Sequence, residues 1–95
     1  FEGFLSVNKK SRREHLSEVK NEPRTMVFYE APHKLQNTLK DMLKTFGNRK
    51  ITVARELTKK YEEFLYTTIE DAITHFEETP PKGEFVLVVA GEVLV

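Results

Sequence analysis

Phe28-Tyr29-Glu30-Ala31-Pro32-His33-Lys34 carries an apolar run, begun at Met26-Val27, straight into a strongly periodic segment. Pro32 suits a first helical position, because its missing N–H would be unpaired there in any case. Beyond it, Leu35, Leu39, Met42, Leu43 and Phe46 recur at i, i+4, i+7, i+8 and i+11, one apolar stripe at the helical period. Gly47 stands where a left-handed residue closes a helix. The stretch therefore reads as a strand running into a helix N-terminus, the place where open α/β sheets hold ligands. A tyrosine, a carboxylate and an imidazole at such a junction suit a polar site. Glu30 and His33 equally suit plain capping and solvation of a helix start.

Working outward, Glu2 to Leu5 reads as a short strand and Ser6 to Lys10 as a basic loop. Ser11-Arg12-Arg13-Glu14 has capping-box spacing. It opens a helix to about Asn21 that presents Leu16 and Val19 and that Pro23 prevents from continuing. On the other side, Ile51 to Ala54 reads as a strand ending at Arg55-Glu56, Lys59 to Glu63 as a charged loop, and Phe64 to Thr67 as a short strand. Thr68-Ile69-Glu70-Asp71 caps a third helix, buried through Ile69, Ala72, Ile73 and Phe76 and reaching about Glu78. Pro80 to Gly83 is a turn, and Phe85 to Val89 has the continuous apolarity of a central strand covered on both faces. This order predicts an α/β fold, a mixed, mostly parallel five-stranded sheet with helices packed on it.

Composition narrows the chemistry. The 95 residues suffice for one domain with a modest core, and 39% hydrophobic content fits a folded chain. Fifteen basic and fifteen acidic residues cancel, so nucleic-acid binding requires a local patch. With no cysteine there is no disulfide framework and no thiolate metal site, and His15, His33 and His75 lack metal-ligand spacing. No apolar stretch approaches the ~18 residues of a membrane span. A cytoplasmic protein without metal or membrane partners is expected. Apolar ends, Phe1 and Val93-Leu94-Val95, suggest a piece excised from a longer chain, with a processed small protein as the alternative.

Two further clusters carry candidate chemistry. Ala54-Arg55-Glu56-Leu57-Thr58-Lys59 also sits at the end of a strand, on the same sheet edge as Tyr29-Glu30 if the two strands are parallel. Arg55 offers a planar fork of donors to a phosphate or carboxylate, or an internal ion pair with Glu30 or Glu56. Lys9, Lys10, Arg12 and Arg13 place four cations within five residues, enough to follow a phosphate backbone or simply to form a solvated face. No phosphate loop, GxGxxG pattern or nucleophile elbow occurs, and Glu62-Glu63 and Glu77-Glu78 read as solvated acids. The chain holds no complete active site.

Through Phe28 to Lys34 and Ala54 to Lys59, the sequence resembles the ribosomal RNA small subunit methyltransferase I family of the tetrapyrrole methylase superfamily. The opening Phe1-Glu2-Gly3-Phe4-Leu5 and closing Gly83-Glu84-Phe85-Val86-Leu87-Val88-Val89-Ala90-Gly91 share that likeness. Ser6, Lys34 and Leu65-Tyr66 depart from it, standing where the family usually has Pro, Arg and an Arg-Gly pair. The resemblance implies the C-terminal domain of a two-domain, homodimeric enzyme, inactive alone. That enzyme would use S-adenosylmethionine to methylate a cytidine ribose 2′-hydroxyl in small-subunit ribosomal RNA. It implies cofactor-side contacts at Leu5, Tyr29, Glu30, Ala31, Pro81, Gly83 and Glu84. RNA contacts are implied at His33, Lys34, Arg55, Thr58 and Lys59, to which the basic run Lys9, Lys10, Arg12 and Arg13 adds. Glu30 and Glu56 are the candidate proton acceptors. The competing readings are an RNA-binding or dimerisation module without a cofactor role, and a corrin or porphyrin methylase domain.

Overall fold

The computed structural model describes residues 3–4, 8–58 and 61–92, with backbone alone at 4, 56–58 and 61. In chain order these form β1 (Gly3–Phe4), α1 (Lys9–Glu18), β2 (Met26–Glu30), a 3-10 turn (Pro32–Lys34), α2 (Leu35–Phe46), β3 (Lys50–Thr58), β4 (Tyr61–Thr68), α3 (Ile69–Glu78) and β5 (Glu84–Val89).

The strands lie in the order β1-β2-β5-β3-β4. The expected mostly parallel sheet is overturned: β2, β5, β3 and β4 pair antiparallel throughout. Only the two-residue β1 runs parallel to its neighbour β2. The reason lies in the return path. β4 folds back on β3 as a hairpin, and β5, arriving from α3, inserts between β2 and β3. An alternation of strands and helices along a chain does not reveal such an insertion. β2 and β3 still point the same way, because each is antiparallel to β5. Their C-terminal ends therefore share one sheet edge with the start of β5.

Cross-strand partners share a face, so the register sorts the sheet into two sides. Met26, Val89 and Ile51 form one row, and Phe28, Leu87 and Val53 the next. All six are buried, together with Phe85, under Leu16 of α1, Leu35, Leu39, Met42 and Phe46 of α2, and Ile69, Ala72, Ile73 and Phe76 of α3. Full burial of side chains of this size stabilises by ~1.5–3 kcal/mol each. The opposite face carries no covering layer among the described residues. Here Val86 and Val88 are only half-buried, which corrects the expectation that β5 is covered on both sides.

Local expectations fared unevenly. The stripe of α2 is buried as its period requires, and Gly47 closes the helix at φ 82° with its N–H on Leu43 O at 3.0 Å. Thr68 caps α3, its hydroxyl accepting the Asp71 N–H at 3.3 Å. α1 differs. Its N-cap is Asn8, whose Oδ1 accepts the Ser11 N–H at 3.1 Å, so Ser11 is no cap. The expected basic loop is helical from Lys9, and the helix stops at Glu18 instead of near Asn21. The expected charged loop is also corrected: Glu62 and Glu63 are residues of β4. Arg49 ties the end of the α1 segment to the sheet. It donates to Lys20 O at 2.7 Å and Ala90 O at 3.4 Å, and its guanidinium lies 4.8 Å from the Phe46 ring centre.

Candidate functional site

The shared edge gathers the sequence motifs because the register leaves no alternative. Tyr29 pairs with Val86, Val86 with Ala54, and Ala54 with Phe64, a single row across four strands on the uncovered face. The adjacent row is Val27, Val88, Thr52 and Tyr66. Tyr29, Phe64 and Tyr66 are exposed at 37%, 55% and 77%. The last two rings stack with their centres 6.4 Å apart and their planes 15° apart. Exposed aromatic side chains clustered on one open face are the kind of surface that marks a contact or ligand site.

A groove of about 490 Å³ runs over this row, lined by Tyr29, Ala54, Phe64, Phe85, Val86 and Val88, with Arg55, Glu62 and Glu84 as its charged residues. One further row along, Glu84 and Glu62 both pair with the backbone of Glu56. The result is an apolar, aromatic floor bounded by carboxylates at the edge where β2 and β3 end. Such a surface suits a flat heteroaromatic group carrying a positive charge or ribose hydroxyls. A tight polyanion site it is not.

The expected site residues separate. Tyr29, Arg55 and Glu84 line the groove. Glu30 does not. It is 2% exposed and lies in the row of Phe85 and Arg55, on the helix side of the sheet. Its Oε1 accepts the Ala31 N–H at 2.8 Å and its Oε2 the Thr38 hydroxyl at 2.6 Å. Both carboxylate oxygens thus serve the junction, where they fix the turn into α2. Ala31 and Pro81 are half-buried beyond the strand ends. Gly83 takes φ 81° to turn the chain into β5, a conformation that costs a glycine least.

Arg55 falls in the helix-side row by register and also lines the groove, and its guanidinium pairs with Glu63, not with Glu30. Its Nε is buried without a hydrogen-bond partner. His33 is exposed and Lys34 half-buried on the 3-10 turn, and neither lines the groove. Arg12 is buried: its Nε reaches Asp41 Oδ2 at 2.6 Å between α1 and α2. Arg13 stays partly exposed, with Nε 3.4 Å from Asp41 Oδ1, while Lys9 and Lys10 are exposed. Leu5 and Lys59 lie outside the described residues, and Glu56 and Thr58 are placed by backbone alone.

Sequence reasoning missed Ala54, Phe64, Val86 and Val88 as floor and Glu62 as rim. The alternation Glu62-Phe64-Tyr66 against Glu63-Leu65-Thr67 was the available signal. Among the described residues no group of three or more His, Asp or Glu could hold a metal ion. No helix among them is long and apolar enough to cross a membrane.

Known proteins can now be set beside this geometry. Residues 3–73 match the sequence profile of the tetrapyrrole (corrin/porphyrin) methylases. The chain is 52% identical over 91 residues to the ribosomal RNA small subunit methyltransferase I of Halalkalibacterium halodurans, covering 96% of this chain and 32% of that protein. Against the Synechocystis protein of the same name it is 50% identical over 92 residues, covering 96% and 33%. Against that of Bacillus subtilis it is 48% identical over 91 residues, covering 96% and 31%. The chain thus spans about a third of the length of these curated relatives.

Proposed function

The chain belongs to the tetrapyrrole (corrin/porphyrin) methylase family, and we propose that it is the C-terminal domain of an S-adenosylmethionine-dependent methyltransferase of small-subunit ribosomal RNA. Its part would be one wall of a cleft whose other wall, with a glycine-rich cofactor loop, belongs to a second domain. The observation that carries this reading is the convergence of Tyr29, Ala54 and Glu84 on one groove of the open sheet face. The names of the relatives support the RNA acceptor.

The residues fit the cofactor. Tyr29 and Phe64 offer ring faces to an adenine, Ala54 and Val86 leave room beneath it, and the Glu62 and Glu84 carboxylates suit ribose hydroxyls and a cationic end. When bound, S-adenosylmethionine supplies an electrophilic methyl group on a sulfonium. The chain's own contribution is to align its ligands and exclude water with the apolar floor. Glu30 acts as a positioning residue that holds the β2–α2 junction under Tyr29. The acceptor we assign is a cytidine ribose 2′-hydroxyl, as the resemblance through Tyr29 to Lys34 and Ala54 to Lys59 implies. The same resemblance makes the full-length protein a cytoplasmic homodimer.

The test is methyl transfer by the full-length protein from labelled cofactor to small-subunit ribosomal RNA. Label in an alkali-resistant cytidine dinucleotide is the expected result. Label on a base would overturn the acceptor, and transfer to a porphyrin or corrin alone would overturn the RNA reading.

A further inference from the structure

The zero net charge conceals a division. Residues 8–49 hold ten Lys and Arg against five Asp and Glu, whereas residues 50–95 hold five against nine. The fold turns this sequence asymmetry into a spatial one. α1 packs against α2, which brings Arg13 of α1, Lys20 just beyond its end and Lys44 of α2 to one seam, away from the groove on the opposite face of the sheet.

At the seam, a groove of about 310 Å³ is lined by Arg13, Ser17, Lys20, Asp41, Lys44 and Thr45. Asp41 is its one acid, and that charge is already met from below by buried Arg12 at 2.6 Å. Arg13 shares Asp41 at 3.4 Å, so Lys20 and Lys44 are surplus positive charge, and no ion pair holds either among the described residues. The groove is positioned firmly. Asp41 is clamped by two arginines, and the Lys20 carbonyl is held by Arg49 at 2.7 Å. Ser17 and Thr45 add hydroxyl donors beside the cations. Cations and hydroxyls around a shallow polar groove form the donor set that receives phosphodiester oxygens.

We infer that the α1–α2 seam is an anchoring surface for substrate RNA, in which Lys20 and Lys44, together with Arg13, bind backbone phosphates. This rests on the reading of the chain as part of an RNA methyltransferase and extends it. Because the seam lies across the sheet from the cofactor groove, the RNA it holds is a segment away from the modified nucleotide. Phosphate contacts of this kind set register and carry no sequence information. Lys20 and Lys44 were not singled out by the local basic run. They join Arg13 only when α1 is laid on α2.

The test uses the full-length protein and a small-subunit ribosomal RNA fragment, with binding followed by fluorescence anisotropy over a range of salt. Lys20→Glu with Lys44→Glu should weaken binding at least about tenfold. Lys20→Gln with Lys44→Gln should make the slope of log K against log salt shallower by about two, roughly one per lost phosphate contact. S-adenosylmethionine affinity should stay at the wild-type value in both variants, which also reports an intact fold. Wild-type RNA affinity and slope in the variants would overturn the inference while leaving the enzyme reading standing. Failure of the wild-type protein to bind the RNA at all would overturn both.

Discussion

Thr38 Oγ1 donates to Glu30 Oε2 at 2.6 Å, joining the last residue of β2 to the first turn of α2 in a buried contact. The other Glu30 oxygen accepts the Ala31 N–H at 2.8 Å, so strand end, turn and helix are held by one side chain. Tyr29 is the neighbouring residue on the opposite face, and its place at the groove follows from this fixation. Thr38→Val should leave a buried carboxylate oxygen without its donor. The expected cost is ~1–3 kcal/mol, read as a fall in Tm of ~4–8 °C per kcal/mol for a domain of this size. Thr38→Ser, which keeps the hydroxyl, should cost clearly less. Equal losses in the two variants would show that the hydrogen bond is not what holds the junction.

Glu30→Gln bears on the proton acceptor. Glu30 faces the helix layer, and both of its oxygens are engaged. In full-length protein, assayed below its melting temperature, the amide variant should keep kcat within about tenfold, with an unchanged pH profile. Loss of the ~10²–10⁴-fold that a general base contributes would return Glu30 to the chemistry.

Tyr29→Ala should weaken S-adenosylmethionine binding by about tenfold or more, since stacking on an aromatic ring contributes ~1–3 kcal/mol per base. Tyr29→Phe should retain most of the affinity. Titration calorimetry on the full-length protein reads both. Because Tyr29, 37% exposed, still buries much of its ring, thermal unfolding of the same variants separates lost cofactor contact from lost packing. An unaltered cofactor affinity would move the cofactor off this groove and favour a binding module without a cofactor role.

Asp41→Asn should be severe. It leaves the Arg12 guanidinium buried between α1 and α2 without its counter-charge, a change that costs ~3–5 kcal/mol. Replacing both partners, Arg12→Met with Asp41→Leu, should recover much of that loss, because two apolar side chains need no desolvation offset. Urea unfolding of the single and double variants gives the comparison. Additive losses would contradict a coupled pair.

Gly91→Ala should destabilise by ~1–3 kcal/mol or more. A Cβ at Gly91 would overlap the backbone carbonyls of Pro23 and Arg24, where the chain leaving β5 passes the β2 entry. The Glu92 N–H donates to Glu22 O at 2.8 Å across the same approach. Backbone atoms cannot turn aside as a flexible side chain would. A Tm equal to wild type would show that the two segments separate freely.

Particular elements show how much was legible in the residues. α2 and α3 were readable because apolar spacing, Gly47 and Thr68 are local signals. α1 was misplaced by a few residues because Asn8, a competent cap, precedes the Ser-Arg-Arg-Glu pattern that imitated one. The Arg55 ion pair was foreseen in kind with another partner. Glu63 comes opposite Arg55 only through the β3–β4 register. Phe64 and Tyr66 escaped notice as site residues because the alternation in 62–67 separates two faces, while the β3–β4 register decides which of them meets the helices.

The junction from Phe28 to Lys34 was visible in the chain itself, because strand, proline and helical stripe are each set by residues within a turn or two of one another. Its family likeness was visible for the same reason. Strand adjacency was not. The insertion of β5 between β2 and β3 joins residues about sixty apart, Met26 with Val89 and Glu30 with Phe85. It decides that the sheet is antiparallel, that one face is left open, and that Tyr29 and Glu30 part to opposite sides of it. Local propensity is blind to such choices, because they are settled by which apolar faces can be buried together once the whole chain has collapsed.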